Sequence, residues 1–258
     1  MASAPMQGLP MFYNQIEPLS STQHADWKAR RLEKAPFLAQ AHVVPLTTDE
    51  FVPAQRHFPI VFSVGEAPVP LALMGLNEGV NVFVDAEGTL TENIYVPAYV
   101  RRYPFLLVQL RPDSEELSLC FDPSAGVLGA FDDGEPLFEG GKPSGEVQAV
   151  LQFAEQFEQA GQRTAQFMRE IKDAKLLIEG ELAIEVAGQA QPYIYRGFQM
   201  ISEEAVNNLR GDVARKMIQS GAMALIYAHL FSLSLSRELF GRQMAQGRVP
   251  VPQPGAIA

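Results

Sequence analysis

The sequence predicts an α+β protein in which an antiparallel, β-rich N-terminal half packs against helices of the C-terminal half. Three observations predict it. Short apolar runs broken by Gly, Pro and Asp fill residues 41–138, whereas beyond Gly140-Gly141-Lys142-Pro143-Ser144-Gly145 the apolar period becomes helical. The third is an internal echo: Arg56-His57-Phe58-Pro59-Ile60-Val61-Phe62 returns as Arg101-Arg102-Tyr103-Pro104-Phe105-Leu106-Leu107. Both read Arg, any residue, aromatic, Pro and three apolar residues, as two related β-meander units would, or as convergent strand and turn patterning would. Two such meanders related by pseudosymmetry would leave a cleft for a ligand.

Residues 1–40 read as irregular, with one helix near 22–33. A first strand falls at 41–46, and Thr47-Thr48-Asp49-Glu50 is a polar helix start. Strands at 59–64 and 69–76 flank a Gly65-Glu66-Ala67-Pro68 turn, Val80, Val82 and Val84 alternate as a further strand, and 105–111 pairs with 117–122. Tyr95, Tyr99 and Tyr103 are four apart, so a helix there carries an aromatic stripe that Pro104 ends. Residues 139–245 read as a helix-rich half packed on the β-rich one as a single globular unit. In it Val147, Val150, Leu151, Ala154 and Phe157 share a face, Gly161 interrupts, and a second helix carries Phe167, Met168 and Ile171. Extended segments near 182–186 and 193–200 precede a helix capped by Ser202 and ended by Gly221. Residues 222–235 are ambiguous between strand and buried helix, and the alternation Leu233-Ser234-Leu235-Ser236 favours strand. Residues 246–258, rich in proline, read as a mobile tail.

At 258 residues, with 47% apolar and 19% charged residues, the chain can bury a full core. Thirty acidic against twenty basic residues give a net charge of −10, which disfavours nucleic acid and anionic membranes as partners. The single cysteine, Cys120, excludes an intrachain disulfide and reads as a small core hydrophobe. Residues 1–20 lack a signal-peptide pattern and no run is long and apolar enough to span a membrane, so a cytoplasmic location without membrane insertion is expected.

No Gly-x-Ser-x-Gly elbow, His-Glu-x-x-His motif or dinucleotide fingerprint is present, Gly141-Lys142-Pro143-Ser144 lacks the spacing of a phosphate loop, and no cofactor is called for. His24-Ala25-Asp26 has the spacing of a two-histidine, one-carboxylate iron site, with His57 or His229 as distal ligand, which is the enzyme reading. The binding reading places a small-molecule or protein partner at Tyr95, Tyr99, Arg101, Arg102 and His229. His229, flanked by apolar residues, also reads as a buried imidazole that needs hydrogen-bond partners.

Several segments together resemble the SapC family of bacterial proteins. They are Phe58-Pro59-Ile60-Val61-Phe62, Asn81-Val82-Phe83-Val84-Asp85, Tyr95-Val96-Pro97-Ala98-Tyr99, Leu119-Cys120-Phe121-Asp122 and Ile226-Tyr227-Ala228-His229-Leu230-Phe231-Ser232. The resemblance covers residues 17–241 and implies no catalytic residues. It implies a role accessory to nutrient uptake through TonB-dependent systems, with a tryptophan-halogenase-like flavoprotein as functional neighbour. The family name also implies a surface-layer link, hence a third reading as a surface-layer-associated structural protein.

Overall fold

The computed structural model describes residues 8–249 except 112, 115 and 190. Its strands are β1 (Glu17–Pro18), β2 (Lys28–Ala29), β3 (Val43–Pro45), β4 (Ile60–Phe62), β5 (Pro70–Leu73), β6 (Phe105–Gln109), β7 (Leu117–Phe121), β8 (Leu128–Gly129), β9 (Glu135–Pro136), β10 (Phe138–Glu139), β11 (Lys142–Pro143), β12 (Leu177–Glu179), β13 (Leu182–Ile184), β14 (Tyr193–Tyr195) and β15 (Gln199–Ile201). The helices are α1 (Phe51–Ala54), α2 (Ala98–Arg101), α3 (Gly145–Asp173), α4 (Glu203–Asn207), α5 (Gly211–Ser220), α6 (Ala222–Ser232) and α7 (Ser236–Ala245). Antiparallel sheets gather in the N-terminal half and helices in the C-terminal half, an α+β fold. The chain divides into two compact units, residues 1–34 with 98–159 and residues 35–97 with 160–258, and one border falls inside α3.

The first unit holds two three-stranded sheets, β1-β7-β6 and β8-β2-β9. Phe121, Leu128, Leu137 and Val147 form its core, with Trp27 and Phe105 packed against them. Cys120 lies fully buried in β7, and burial pushes its thiol pKa up to about 11. Only about one thiol in a thousand is therefore ionised at pH 8. Ellman's reagent is expected to leave the native protein unlabelled at that pH and to label one thiol once guanidinium unfolds it; rapid labelling of native protein would contradict this burial.

In the second unit a five-stranded antiparallel sheet runs β12-β15-β4-β5-β3. Side chains alternate between its faces. The pairs Ile60↔Ala72 and Val44↔Ala72 set one face, and Val61↔Leu71 and Val43↔Leu73 set the other. α6 packs on the first of these faces, where its His229 ring lies 4.9 Å from the Phe62 ring.

The two echoed heptapeptides adopt one local plan. Each follows a one-turn helix, α1 or α2, turns at the aromatic-Pro pair, and enters a strand that forms an antiparallel pair with the next, β4 with β5 and β6 with β7. The plans then diverge: residues 80–84 form no strand beyond an isolated Val84↔Leu90 bridge, whereas β8 joins β2.

The helix expected at 22–33 is a turn followed by β2, because β2 pairs with both β8 and β9. Gly161 does not interrupt α3; it is exposed, and the penalty of about 1 kcal/mol for a helical glycine is borne by the packed turns on either side. Residues 222–235 are helical, not a strand. The serines from 232 to 236 answer helix carbonyls three residues back: Ser232 Oγ donates to His229 O, Ser234 Oγ to Phe231 O and Ser236 Oγ, at the start of α7, to Leu233 O. The Ser202 cap and Gly221 stop are present, with Ser202 Oγ accepting Ala205 N–H at 3.1 Å and Gly221 at φ 83°, though the segment between them is split into α4 and α5. Of the expected tail, residues 250–258 lie outside the described residues. Among the described residues no single helix is long and apolar enough to cross a membrane.

Candidate functional site

The tyrosine stripe expected at 95–103 breaks up because α2 is a single turn between Pro97 and the Tyr103-Pro104 corner. In the second unit, the Tyr95 hydroxyl donates to buried Glu50 Oε1 at 3.1 Å. The other Glu50 oxygen closes a capping box with Thr47 N–H and Oγ1 at 2.8 and 2.9 Å. Tyr95 thus braces the polar helix start seen in the sequence.

His229, in the same unit, has no exposed surface. Its Nδ1–H donates to Ile60 O at 2.8 Å and its Nε2 accepts Ile201 N–H at 3.0 Å, a pattern that only the neutral Nδ1–H tautomer satisfies. Burial, opposed by the Ile60 hydrogen bond, lowers its pKa to about 4. One turn on, Ser232 Oγ accepts Ile60 N–H at 2.8 Å. The ladder between β15 and β4 has one register pair, Gln199↔Phe62, and the imidazole joins the two strands beyond it. Both ring nitrogens are committed to backbone.

The other predicted residues, Tyr99, Arg101 and Arg102, come together in the first unit. The Arg102 guanidinium carbon lies 4.2 Å from the Tyr99 ring centroid, 4.6 Å from that of Phe157 and 5.7 Å from that of Tyr13. Arg102 Nε is buried without a hydrogen-bond partner. Such contacts offset part of the penalty of withdrawing a cation from water, about 0.5–2 kcal/mol each. Arg101 stands over Phe153 at 5.2 Å. Both arginines line a depression of about 220 Å³ whose remaining walls are Phe105, Ala149, Val150, Phe153 and Ala154. Behind it the Tyr13 hydroxyl donates to Phe105 O at 2.7 Å, and burial raises its pKa.

Sequence reasoning missed Tyr13, Phe153 and Phe157. Phe153 and Phe157 are four apart on α3, a spacing that marks a shared helical face. Nothing local marks Tyr13.

The proposed iron ligands do not form a metal-holding group among the described residues. His24 is buried, with Nδ1 accepting Ser20 N–H at 3.1 Å and Nε2 donating to Glu17 Oε1 at 3.2 Å, whereas Asp26 is exposed. Among the described residues no three His, Cys, Asp or Glu side chains are grouped to hold a metal ion.

A larger cleft, of about 520 Å³, lies in the second unit on the sheet face opposite α6. Val43, Val61, Leu71 and Leu73 form its floor, and Leu182, Ile194 and Tyr195 of the β13-β14 hairpin cover it.

Fold and site together define an α+β protein of two units, one bearing an arginine-and-aromatic pocket and the other a hairpin-covered cleft. The chain matches the SapC family over residues 19–239, and it belongs to that family. No curated protein and no solved structure matches it.

Proposed function

We propose that this SapC-family chain is a non-catalytic binding protein that takes a small organic carboxylate with an apolar body into the depression beside Arg102. The observation that carries the reading is the Arg102 guanidinium, backed by Tyr99 and Phe157, with its Nε buried and unpartnered at the edge of an apolar hollow. Guanidinium forks match carboxylates, and an anion held there supplies an acceptor for the unpartnered Nε. The volume admits one ring or a short alkyl chain, which Phe105, Val150 and Phe153 would enclose. In the same proposal the protein is a cytoplasmic accessory to nutrient uptake through TonB-dependent systems, beside a tryptophan-halogenase-like flavoprotein; the family resemblance supports that part.

Titration calorimetry with 3-phenylpropionate and with the neutral 3-phenylpropanol tests the site. The acid is expected to bind about 10- to 100-fold more tightly than the alcohol, and Arg102→Gln to remove that preference. Equal affinity for acid and alcohol, or an Arg102→Gln protein that keeps the preference, would refute the proposal.

A further inference from the structure

The cleft in the second unit owes its cover to a register change. Between the pairs Glu179↔Gln199 and Leu182↔Tyr195, two residues on the outgoing strand face three on the return strand. That is a β-bulge, and Gly197 at φ 93° supplies the left-handed residue it needs. Gly180 answers it: its N–H donates to Phe198 O at 2.8 Å, and a side chain in its place would meet the Phe198 ring at 2.1 Å. The bulge bends the hairpin, so β13 and β14 leave the five-stranded sheet, pair only with each other and carry Leu182, Ile194 and Tyr195 to the cleft.

The lining is apolar below and electrically balanced above. Among the described residues its charged members are Glu78 and Arg196, of opposite sign, and Arg196 is paired with Glu181 at 2.6 Å. Burial lowers the His42 pKa, against the opposing pull of Glu78. Two further polar lining residues are engaged: Ser63 Oγ accepts Val69 N–H at 3.0 Å, and Asn77 Oδ1 accepts Gln243 Nε2–H at 2.5 Å. Tyr195 differs. Its hydroxyl is buried with no hydrogen-bond partner, which costs a folded protein about 1–3 kcal/mol unless something satisfies it.

We propose that this cleft binds a neutral small organic molecule with an apolar body and a carbonyl acceptor, which the Tyr195 hydroxyl takes as the bent hairpin lifts to admit it. The volume lies within the range of small-molecule sites, about 300–1,000 Å³. The balanced lining selects against ions, and the apolar floor and cover bury the body. This cleft shares no residue with the Arg102 pocket, so the two proposals are tested separately.

Benzophenone, with diphenylmethane as the same shape lacking the acceptor, provides the test on the full chain. Benzophenone is expected to bind about 3- to 10-fold more tightly than diphenylmethane. Illumination should attach it within residues 42–43, 61–78 or 182–198. Tyr195→Phe removes one unpartnered oxygen and nothing else, so it should preserve the circular dichroism spectrum while bringing the two affinities together. Absence of benzophenone binding, equal affinities in the unaltered protein, a preference that survives Tyr195→Phe, or adducts confined to other segments would each overturn the proposal.

Discussion

Replacing His229 by alanine is expected to lower stability by about 4 kcal/mol, because it orphans two buried backbone groups and leaves a cavity. The groups are Ile60 C=O and Ile201 N–H, on two strands joined by a single register pair. The same histidine makes the fold acid-sensitive. Its pKa falls from 6.5 in the unfolded chain to about 4 in the folded one. With the folded value depressed, the neutral ring contributes fully above pH 6.5, and the contribution is lost as pH falls toward 4. Linkage puts that loss at about 3 kcal/mol across the window. Urea denaturation between pH 7 and pH 4.5 measures it as the difference in slope between the unaltered protein and His229→Ala. Carboxylates titrate in both proteins and cancel, so parallel pH profiles would show that the imidazole is not held neutral.

The second large effect is expected at Gly88. It adopts φ 84°, its carbonyl accepts Ala35 N–H at 2.9 Å, and a Cβ there would lie 2.2 Å from Pro36 N and 2.3 Å from Ala35 C. Backbone cannot swing aside as a side-chain end does, so Gly88→Ala combines left-handed strain with displacement of a neighbouring segment, about 3 kcal/mol or more. Gly79, at φ 76° with open space around it, isolates the strain alone, and Gly79→Ala is expected to cost about 1 kcal/mol. Urea midpoints of the two variants should therefore separate clearly; coincident midpoints would mean that the close approach at Gly88 is not maintained.

The β4-β5 and β6-β7 pairs were legible because each is bounded by turn residues and filled with apolar ones. The polar helix start at Thr47-Thr48-Asp49-Glu50 and the stop at Gly221 were legible because capping chemistry is local. What escaped depends on partners distant in sequence. Ser232, Ser234 and Ser236 mimic strand alternation, yet each hydroxyl is used by the helix itself, and Ser232 also takes Ile60 N–H from β4. Tyr99 stands out by its spacing and Arg101 and Arg102 as charges beside it, but the rings that hold Arg102 include Tyr13 and Phe157 from other segments. The hairpin-covered cleft left no mark beyond two extended runs and a glycine, since a one-residue register change appears only once strands are paired.

The order of the two units along the chain bears on how the molecule can be divided. Passage from one to the other occurs after residues 34, 97 and 159, so each unit is assembled from separate stretches. A fragment ending at residue 97 would keep β1 and β2 while discarding β7, β8 and β9, and would keep β4 while discarding β15 and the imidazole that fastens it. Half-molecules cut at any single passage thus inherit unpaired edges, and because the four stretches alternate between the units, rearranging the chain order by circular permutation would leave each unit interrupted as well.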